Sequence, residues 1–403
     1  MRTIILLLLT SGILAVSCEK ILPALPADED VLDGPVEGLT AEQQRRFLDG
    51  DIAFANEFSP QTGLGPIFVN TSCISCHAGD GKGHPFTTLT RYGQADSTGN
   101  TYLLAGGPQL QHRAIPGHSP ELLPAGAPFS KFLPPANTGL GFLAALTDAQ
   151  LLANADPNDA NGDGISGVPN YINPPGFFVP QSFHQSLNGR YIGRFGRKAG
   201  AIDLLQQTVG AYKQDIGVTS EFDPNDPINY AVSSQPLDNI PDPEVSTADV
   251  RNVVFYLRTL KAPVQRNTSD ADVAEGKQLF VNIGCAKCHI PEWTTPASDI
   301  AALGNKTFYP YTDLLLHDMG PGLDDGYTEG KALSSEWRTT PLWGLGLSKN
   351  SQGGEYFLMH DGRAKTIREA ILLHGGEGQG SRDQFNGMSE TEKLKLEKFL
   401  ESL

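Results

Sequence analysis

"FVNTSCISCH" occupies residues 68–77, and "FVNIGCAKCH" occupies residues 280–289. Both stretches carry Phe-Val-Asn, then two cysteines two residues apart, then a histidine directly after the second cysteine. That spacing is the attachment signal of c-type haem. Two thiols can add across the vinyl groups of one haem, and the next histidine lies under the iron as proximal ligand. Zinc is one alternative, but it needs two more ligands at each frame or all four cysteines together. A disulfide is another, and it leaves the histidine unexplained. Two copies, each expected to follow a helix-like lead-in, favour haem. Cys73, Cys76 and His77 then hold one haem, and Cys285, Cys288 and His289 hold the other.

The chain has 403 residues, enough for two domains or one large one. It is acidic, with 46 Asp+Glu against 30 Lys+Arg and a formal net charge of −16. Such a balance argues against non-specific nucleic-acid binding, which needs basic patches. It suits a small basic redox protein as partner, although acidity also serves solubility.

The opening "MRTIILLLLTSGILAVSC" has a basic residue, a short apolar run and small residues before Cys18. It reads as a targeting segment, and its apolar run is short for a membrane span. "AVSC" resembles a lipoprotein cleavage site, although Ala15 stands where a larger aliphatic residue is usual. Residues 1–17 are therefore expected to be a lipoprotein signal peptide and Cys18 the lipidated residue. An ordinary signal peptide with an incidental thiol is the alternative. The acidic, proline-containing residues 18–39 read as a tether. The protein is expected to be exported and anchored on the periplasmic or cell-surface side, at the outer membrane. The thioether bonds of c-type haem are made outside the cytoplasm, which agrees.

The two halves repeat. "STADVRNVVFYLRTL" (246–260) begins with Ser246 and Asp249, and "SETEKLKLEKFLESL" (389–403) begins with Ser389 and Glu392. Both are capping boxes or close variants, and both end on an aromatic-Leu-x-x-Leu stripe at helical spacing. Each half thus runs from a Cys-x-x-Cys-His frame to a terminal amphipathic helix. The polar segment 261–272 marks the boundary, giving regions 40–262 and 263–403. Helices are expected at 40–57, 200–215, 246–260, 364–374 and 389–403. Between Gly79 and Ser246 the composition is rich in Gly, Pro, Asn and Asp, which demands turns. The fold class is mainly α with much irregular structure.

The sixth ligand decides what each haem does, because a second His or a Met favours electron transfer and an open position admits a substrate. Candidates are His317, Met319, Met359, His360, His374 and Met388 in the second half, and His84, His112, His118 and His184 in the first. Spacing does not choose among them.

The segment "EWRTTPLWGLGL…YFLMHDGRAKTIREAILLHGGEG" (336–378) resembles the C-terminal haem domain of bacterial di-haem cytochrome c peroxidases. It is also similar to the methylamine-utilisation di-haem enzyme, which oxidises a protein tryptophan precursor. With "CISCHAGDGKG", "GPQLQHRAIPG", "DPNDANGDGISG", "GRFGRKAGAIDLLQQTVGAY", "GCAKCHIPEW" and "YPYTDLLLHDMG", the chain resembles the di-haem oxidoreductase family from about residue 50 onward. The resemblance implies two cytochrome c-like domains, the first with a long loop-rich insertion. It implies His374, fourteen residues after His360, as sixth ligand of the second haem. Capping of a helix end is the alternative role for His374. It further implies a catalytic pair near the first haem, Gln111 and Glu121, ten residues apart. A carboxylate there can move a proton between the oxygens of a peroxide. The alternative for both is a solvated loop. The peroxidases hold a tryptophan between their haems in the first domain. Here Trp293, Trp337 and Trp343 all lie in the second half, so a relay falls to one of these, to Tyr191 or Phe195, or to no aromatic.

"DPNDANGDGISG" (156–167) places Asp159, Asn161, Asp163 and Gly164 like the first half of a calcium loop. Asn170 replaces the bidentate Glu of an EF-hand, and an Asx-rich turn is the alternative. "NGRYIGRFGRKA" (188–199) collects Arg190, Arg194, Arg197 and Lys198. Arg194 and Arg197, with Arg338 and Arg363, are candidates to hold haem propionates, and a solvated basic face is the alternative. The expectation is an exported di-haem c-type cytochrome that also binds one calcium ion: electrons pass from the C-terminal haem to the N-terminal haem, where hydroperoxide is reduced. A non-enzymatic electron carrier and an enzyme oxidising a protein side chain through high-valent haem are the other readings.

Overall fold

The computed structural model describes residues 27–94, 102, 107–232 and 238–403. Two compact units divide the chain. Of Met1–Val31 the described part holds a 3-10 turn at Asp28–Asp30, and the account below concerns Leu32–Leu403. The expected leader and Cys18 lie outside the described residues. Among the described residues no helix is long and apolar enough to cross a membrane.

The helices are α1 (Ala41–Ala55), α2 (Leu140–Ala145), α3 (Asp148–Leu152), α4 (Leu204–Ala211), α5 (Thr247–Thr259), α6 (Ala271–Asn282), α7 (Ser348–Ser351), α8 (Ile367–Leu372), α9 (Gln379–Gly387) and α10 (Glu390–Ser402). A π-helical turn, Tyr212–Ile216, continues α4. The strands are short and pair two by two, all antiparallel. β1 (Ile67–Phe68) pairs with β3 (Arg113–Ala114), β2 (Leu89–Tyr92) with β4 (Phe129–Phe132), and β5 (Tyr171–Ile172) with β6 (Tyr191–Ile192). β7 (Trp293–Thr294) pairs with β8 (Thr307–Phe308), and β9 (Leu316–Asp318) with β10 (Glu336–Arg338).

All five expected helices form, with trimmed ends. Their starts are set by side-chain caps: Ser389 and Glu392 close a full capping box on α10, and Ser246 accepts from the Asp249 amide on α5. Helix α6 is the long element that the helix expectations omit. Its central Gly276 reads locally as a breaker, yet tertiary packing requires it. A Cβ there would stand 2.1 Å from the Lys395 carbonyl oxygen and 2.7 Å from Phe399 Cβ, where α6 crosses α10.

The first half repeats this crossing. A Cβ on Gly50 of α1 would stand 2.3 Å from the Asn252 carbonyl oxygen and 2.6 Å from Tyr256 Cβ on α5. Asn252 and Tyr256 occupy the same steps from their N-cap Ser246 as Lys395 and Phe399 do from Ser389. Four residues after each glycine stands a phenylalanine, Phe54 or Phe280, packed near the frame histidine. The ring centroids lie 6.2 Å apart for Phe54–His77 and 6.3 Å apart for Phe280–His289.

This pairing corrects the reading of the two lead-ins. Phe280-Val281-Asn282 ends helix α6, whereas Phe68 lies in strand β1. The structural counterpart of "GKQLFVN" (276–282) is "GDIAFAN" (50–56), and the first half inserts a loop and a strand before its cysteines. The Phe-Val-Asn at 68–70 matches in letters and not in conformation.

The hydrophobic core is also divided differently from the chain. One cluster runs through α1, α4 and α5 and takes in Trp293, Ile300, Leu303 and Phe308 from beyond residue 263. A second is built from α6, α8, α9 and α10 around Phe280, Phe385 and Phe399, and smaller clusters form around Phe132 with Trp337 and around Leu316.

Candidate functional site

Each Cys-x-x-Cys-His frame folds into one turn. The His77 amide donates to the Cys73 carbonyl at 3.1 Å, and the His289 amide to the Cys285 carbonyl at 3.0 Å. Positions i, i+3 and i+4 then share a face, so both thiols and the imidazole turn to the same side. The four cysteines of the two frames form no disulfide, which speaks against the disulfide alternative. Burial pushes Cys73 and Cys285 up to about 12 and Cys76 up to about 11, so they are protonated. They join no group of three metal-competent side chains among the described residues, which speaks against zinc.

Each frame opens on its own large cavity. The first has a volume of about 300 Å³ and is lined by Cys73, Cys76, His77, Phe54, Val253 and Leu257, among others. The second has a volume of about 220 Å³ and is lined by Cys285, Cys288, His289, Phe280, Leu396 and Leu400 at the matching places of the repeat. Burial lowers both histidines to about 4, so each is a neutral imidazole, the form that binds a metal. His289 Nδ1 is tied to the Tyr311 carbonyl at 2.9 Å, which leaves Nε2 for a ligand.

The two cavities differ in the rest of their lining. The second is also lined by His374, whose Nδ1 meets the Ala370 carbonyl at 2.7 Å. That bond caps the end of α8 and leaves Nε2 uncommitted, so the capping role does not exclude the ligand role. Burial lowers its pKa, and it lies close enough to His289 to disfavour charge there. His317 has both nitrogens engaged, Nε2 with Asp313 at 2.8 Å and Nδ1 with Glu377 at 2.6 Å. His360 stacks on Trp337 with centroids 3.7 Å apart. Met319 and Met359 also line this cavity, against the Phe132–Trp337 cluster, and Met388 does not line it.

Apart from His77, no His, Met or Tyr among the described residues lines the first cavity. His84, His112, His118 and His184 all lie away from it. Its polar wall is Arg91, Gln109, Gln214, Asp215 and Glu329. Arg91 donates to Glu329 at 2.6 Å, to Gln214 at 3.3 Å and to Tyr327 at 3.1 Å. Gln109 Nε2 donates to the Gln214 carbonyl at 3.0 Å and to the Asp215 carboxylate. Burial raises Asp215 to about 6, against the lowering by Gln109 and Arg91.

Gln111 and Glu121 are brought together but not to the cavity. Glu121 accepts from the Gln111 amide at 2.8 Å, and Gln111 Nε2 donates to the Ile67 and Lys213 carbonyls at 3.0 and 3.2 Å. Both are buried, so neither is a solvated loop residue, and their visible work is to brace β1 against the turn carrying Gln214 and Asp215. Gln109, two residues earlier on the same segment, is the glutamine that faces the cavity.

The expected propionate cations separate into two sets. Arg197 and Arg338, with Lys82, line both cavities. None of the three pairs with a carboxylate among the described residues. Burial, with the mutual repulsion of Lys82, Arg197 and Arg338, lowers Lys82 to about 7 and Arg197 to about 9, and burial lowers Arg338 to about 10. Buried cations without counter-ions fit an anionic group that enters from the cavities, as haem propionates are. Arg194 is removed from this role, because it is fully buried in an ion pair with Asp148 away from either cavity. Arg363 is removed too, since it pairs with Asp361 at 2.7 Å and reaches the Gly322 carbonyl. The loop at 156–167 forms Asx turns: Asn161 accepts from the Asp163 amide, Asp163 from the Ile165 amide, and Asp159 from the Gly164 amide. Lys287 already neutralises Asp163 at 3.1 Å.

Between the cavities, Trp337 lines the second and Phe132 the first, with ring centroids 5.7 Å apart at 68°. Trp343 and Phe195 line the first cavity only, and Trp293 and Tyr191 line neither. Phe132 was legible in the sequence only as an apolar residue of a Pro-rich stretch, so nothing local marked it.

Residues 134–403 match the family described as "Di-haem oxidoreductase, putative peroxidase", and the chain belongs to that family. The family's name implies two haems, which fits the paired cavities. Solved structures similar to it include Kuenenia stuttgartiensis hydrazine synthase, at 14% identity and a TM-score of 0.42, covering 95% of this chain and 98% of that one. A MauG-like protein associated with microbial copper homeostasis is similar at 15% identity and a TM-score of 0.41, covering 95% of this chain and 94% of that one. No curated protein matches the chain.

Proposed function

We propose that this di-haem oxidoreductase reduces a hydroperoxide at the first cavity with electrons received through the second. The asymmetry of the two cavities supports the reading: His374 lines the cavity of His289, whereas among the described residues no second His, Met or Tyr lines the cavity of His77. On this reading Cys73 and Cys76, and Cys285 and Cys288, hold the two haems by thioether bonds in two cytochrome c-like halves, 40–262 and 263–403. His77 and His289 are the proximal ligands, and His374 completes the second site. Haem supplies one-electron redox chemistry, and with an open position also peroxide chemistry.

Around the open position the chain's own groups have distinct work. Arg91, fixed by Glu329 and Gln214, presents positive charge to a small polar oxidant. Asp215 can hold or release a proton near neutral pH, and Gln109 sets its orientation. Reducing a hydroperoxide breaks the O–O bond and consumes two electrons and two protons, giving an alcohol and water. Arg197, Arg338 and Lys82 neutralise the propionates, and Trp337 with Phe132 offers the aromatic path between the sites. The acidic surface suits a small basic electron donor. Export and a lipid anchor at Cys18 belong to the same reading, and Cys18→Ser is expected to move the protein from the membrane to the soluble fraction.

Carbon monoxide titration of the fully reduced protein tests the asymmetry. The expected result is uptake at one haem per chain, accompanied by peroxide consumption. Uptake at neither haem would favour a simple electron carrier, and uptake at both would remove the His374 assignment.

A further inference from the structure

We infer that Asp226, Asp238 and Glu244 form a binding site for a hard divalent cation of the calcium class. These three carboxylates offer oxygens that all lie within 4.8 Å of one another, and they are the single such cluster among the described residues. Asp226 and Asp238 are 8% and 7% exposed. One oxygen of each residue, Asp226 Oδ1, Asp238 Oδ2 and Glu244 Oε1, is buried without a hydrogen bond. The remaining bonds of Asp238 and Glu244 serve the fold: Asp238 Oδ1 accepts from the Ile240 amide at 2.8 Å, and Glu244 Oε2 accepts from the Thr219 amide and hydroxyl at 2.7 Å. Asp242 is a fourth carboxylate beside them, its Oδ1 2.9 Å from the Thr219 hydroxyl, whose single proton it shares with Glu244.

Buried carboxylate oxygens are almost always paired with a donor or a cation. Here the converging oxygens have neither, and no Lys, Arg or His side chain forms an ion pair with any of the four acids among the described residues. A cation answers both deficits. The donor set is all oxygen, which selects a hard ion. Calcium takes ligands at about 2.3–2.6 Å in a flexible shell, so oxygens up to about 5 Å apart can share one ion. Magnesium, at about 2.0–2.1 Å and strictly octahedral, needs a tighter set.

The position gives such an ion a task. Glu244 grips Thr219, two residues after Gly217, which ends the π-helical turn carrying Gln214 and Asp215. A cation at this cluster ties Asp226 and Asp238 to Glu244 and, through Glu244, to Thr219 beyond the end of that turn. The inference does not rest on the redox reading.

The test uses the full haem-loaded chain, stripped with EDTA and desalted, then titrated with calcium chloride by calorimetry and followed by thermal unfolding. Calcium is expected to bind and raise Tm. Asp226→Asn with Asp238→Asn should weaken binding at least tenfold and abolish the rise. Asp159→Asn with Asp163→Asn, in the other acidic loop, should leave both unchanged. The single variant Asp238→Asn provides a further readout should the double variant fail to fold. Relief of repulsion should raise its Tm in EDTA to or above that of the parent, while its response to calcium falls. The inference is overturned if calcium neither binds nor raises Tm. It is equally overturned if the Asp226/Asp238 variants respond like the parent, or if the loop variants are the ones that lose binding.

Discussion

Replacing Gly276 by alanine tests the helix crossing on which the second haem site is built. The added Cβ would lie 2.1 Å from the Lys395 carbonyl oxygen, inside any real contact distance, and the obstacle is backbone that cannot rotate aside. Helices α6 and α10 must separate by roughly 1 Å, and overpacking of this kind costs about 1–3 kcal/mol. A rigid carbonyl places the cost near the top of that range. Alanine returns about 1 kcal/mol of helix propensity, so the net loss is about 2 kcal/mol. Gly50→Ala should behave alike, because its Cβ would meet the Asn252 carbonyl oxygen at 2.3 Å. Gly380→Ala is the control of opposite sign: it lies exposed in α9 with nothing within 4 Å of an added Cβ, so it should stabilise by up to about 1 kcal/mol. Guanidinium unfolding of the haem-loaded protein reads the stability. Absorption spectra read the sites, because Phe280 and Phe54 stand one turn from each glycine, beside His289 and His77. Gly276→Ala should perturb the second haem alone and Gly50→Ala the first. A Gly276→Ala or Gly50→Ala protein as stable as the parent would refute the close crossing.

Three further outcomes are expected. His374→Ala should open the second site, so that the reduced protein takes up carbon monoxide at two haems; unchanged uptake would remove His374 as a ligand. Asp215→Asn should lower peroxide turnover by about 100-fold, the lower end of a general acid–base contribution, while leaving both haem spectra intact; full activity would dismiss the proton role. Asp80 supplies a pH test. Burial raises its carboxyl to about 7, against the hydrogen bond from Tyr256 at 2.8 Å, and the charges of Asp33 and Asp51 add to the rise. The folded chain thus keeps a proton that the unfolded chain releases near pH 4. This stability is full below about pH 4 and is lost as pH rises to about 7, on the order of 4 kcal/mol in all. Asp80→Asn should flatten that part of the stability profile, and an unaltered profile in urea unfolding would show the loss arises elsewhere.

The parts of the site that were legible in the sequence are those encoded within one or two helical turns. Cys73, Cys76 and His77 share a face because of their spacing alone, and so do Cys285, Cys288 and His289. Ser389 with Glu392, and Thr40 with Gln43, announce helix starts by the same local logic. His374 was reachable by family resemblance, since its distance from His360 is a matter of counting. Reading by letters failed where identical residues serve different contacts. Phe68-Val69-Asn70 mirrors Phe280-Val281-Asn282 in the sequence, but Phe54 is the ring beside His77. The glycines supplied the missing signal, because "GDIAFAN" and "GKQLFVN" share their spacing from glycine to phenylalanine to asparagine.

What the sequence determined by itself is that there are two haem-type frames, each closed by a capped amphipathic helix. What only the tertiary structure decided is that the frames are unequal. Gln109 rather than Gln111 reaches the first cavity, Arg197 and Arg338 rather than Arg194 and Arg363 stand between the cavities, and Asp226, Asp238 and Glu244 converge on one point. The reason is physical. Local spacing dictates which side chains share a turn, whereas a cavity wall draws on segments far apart in the chain, such as Arg91 and Glu329. Their meeting depends on how the helices cross, and that is set by packing around Gly50 and Gly276.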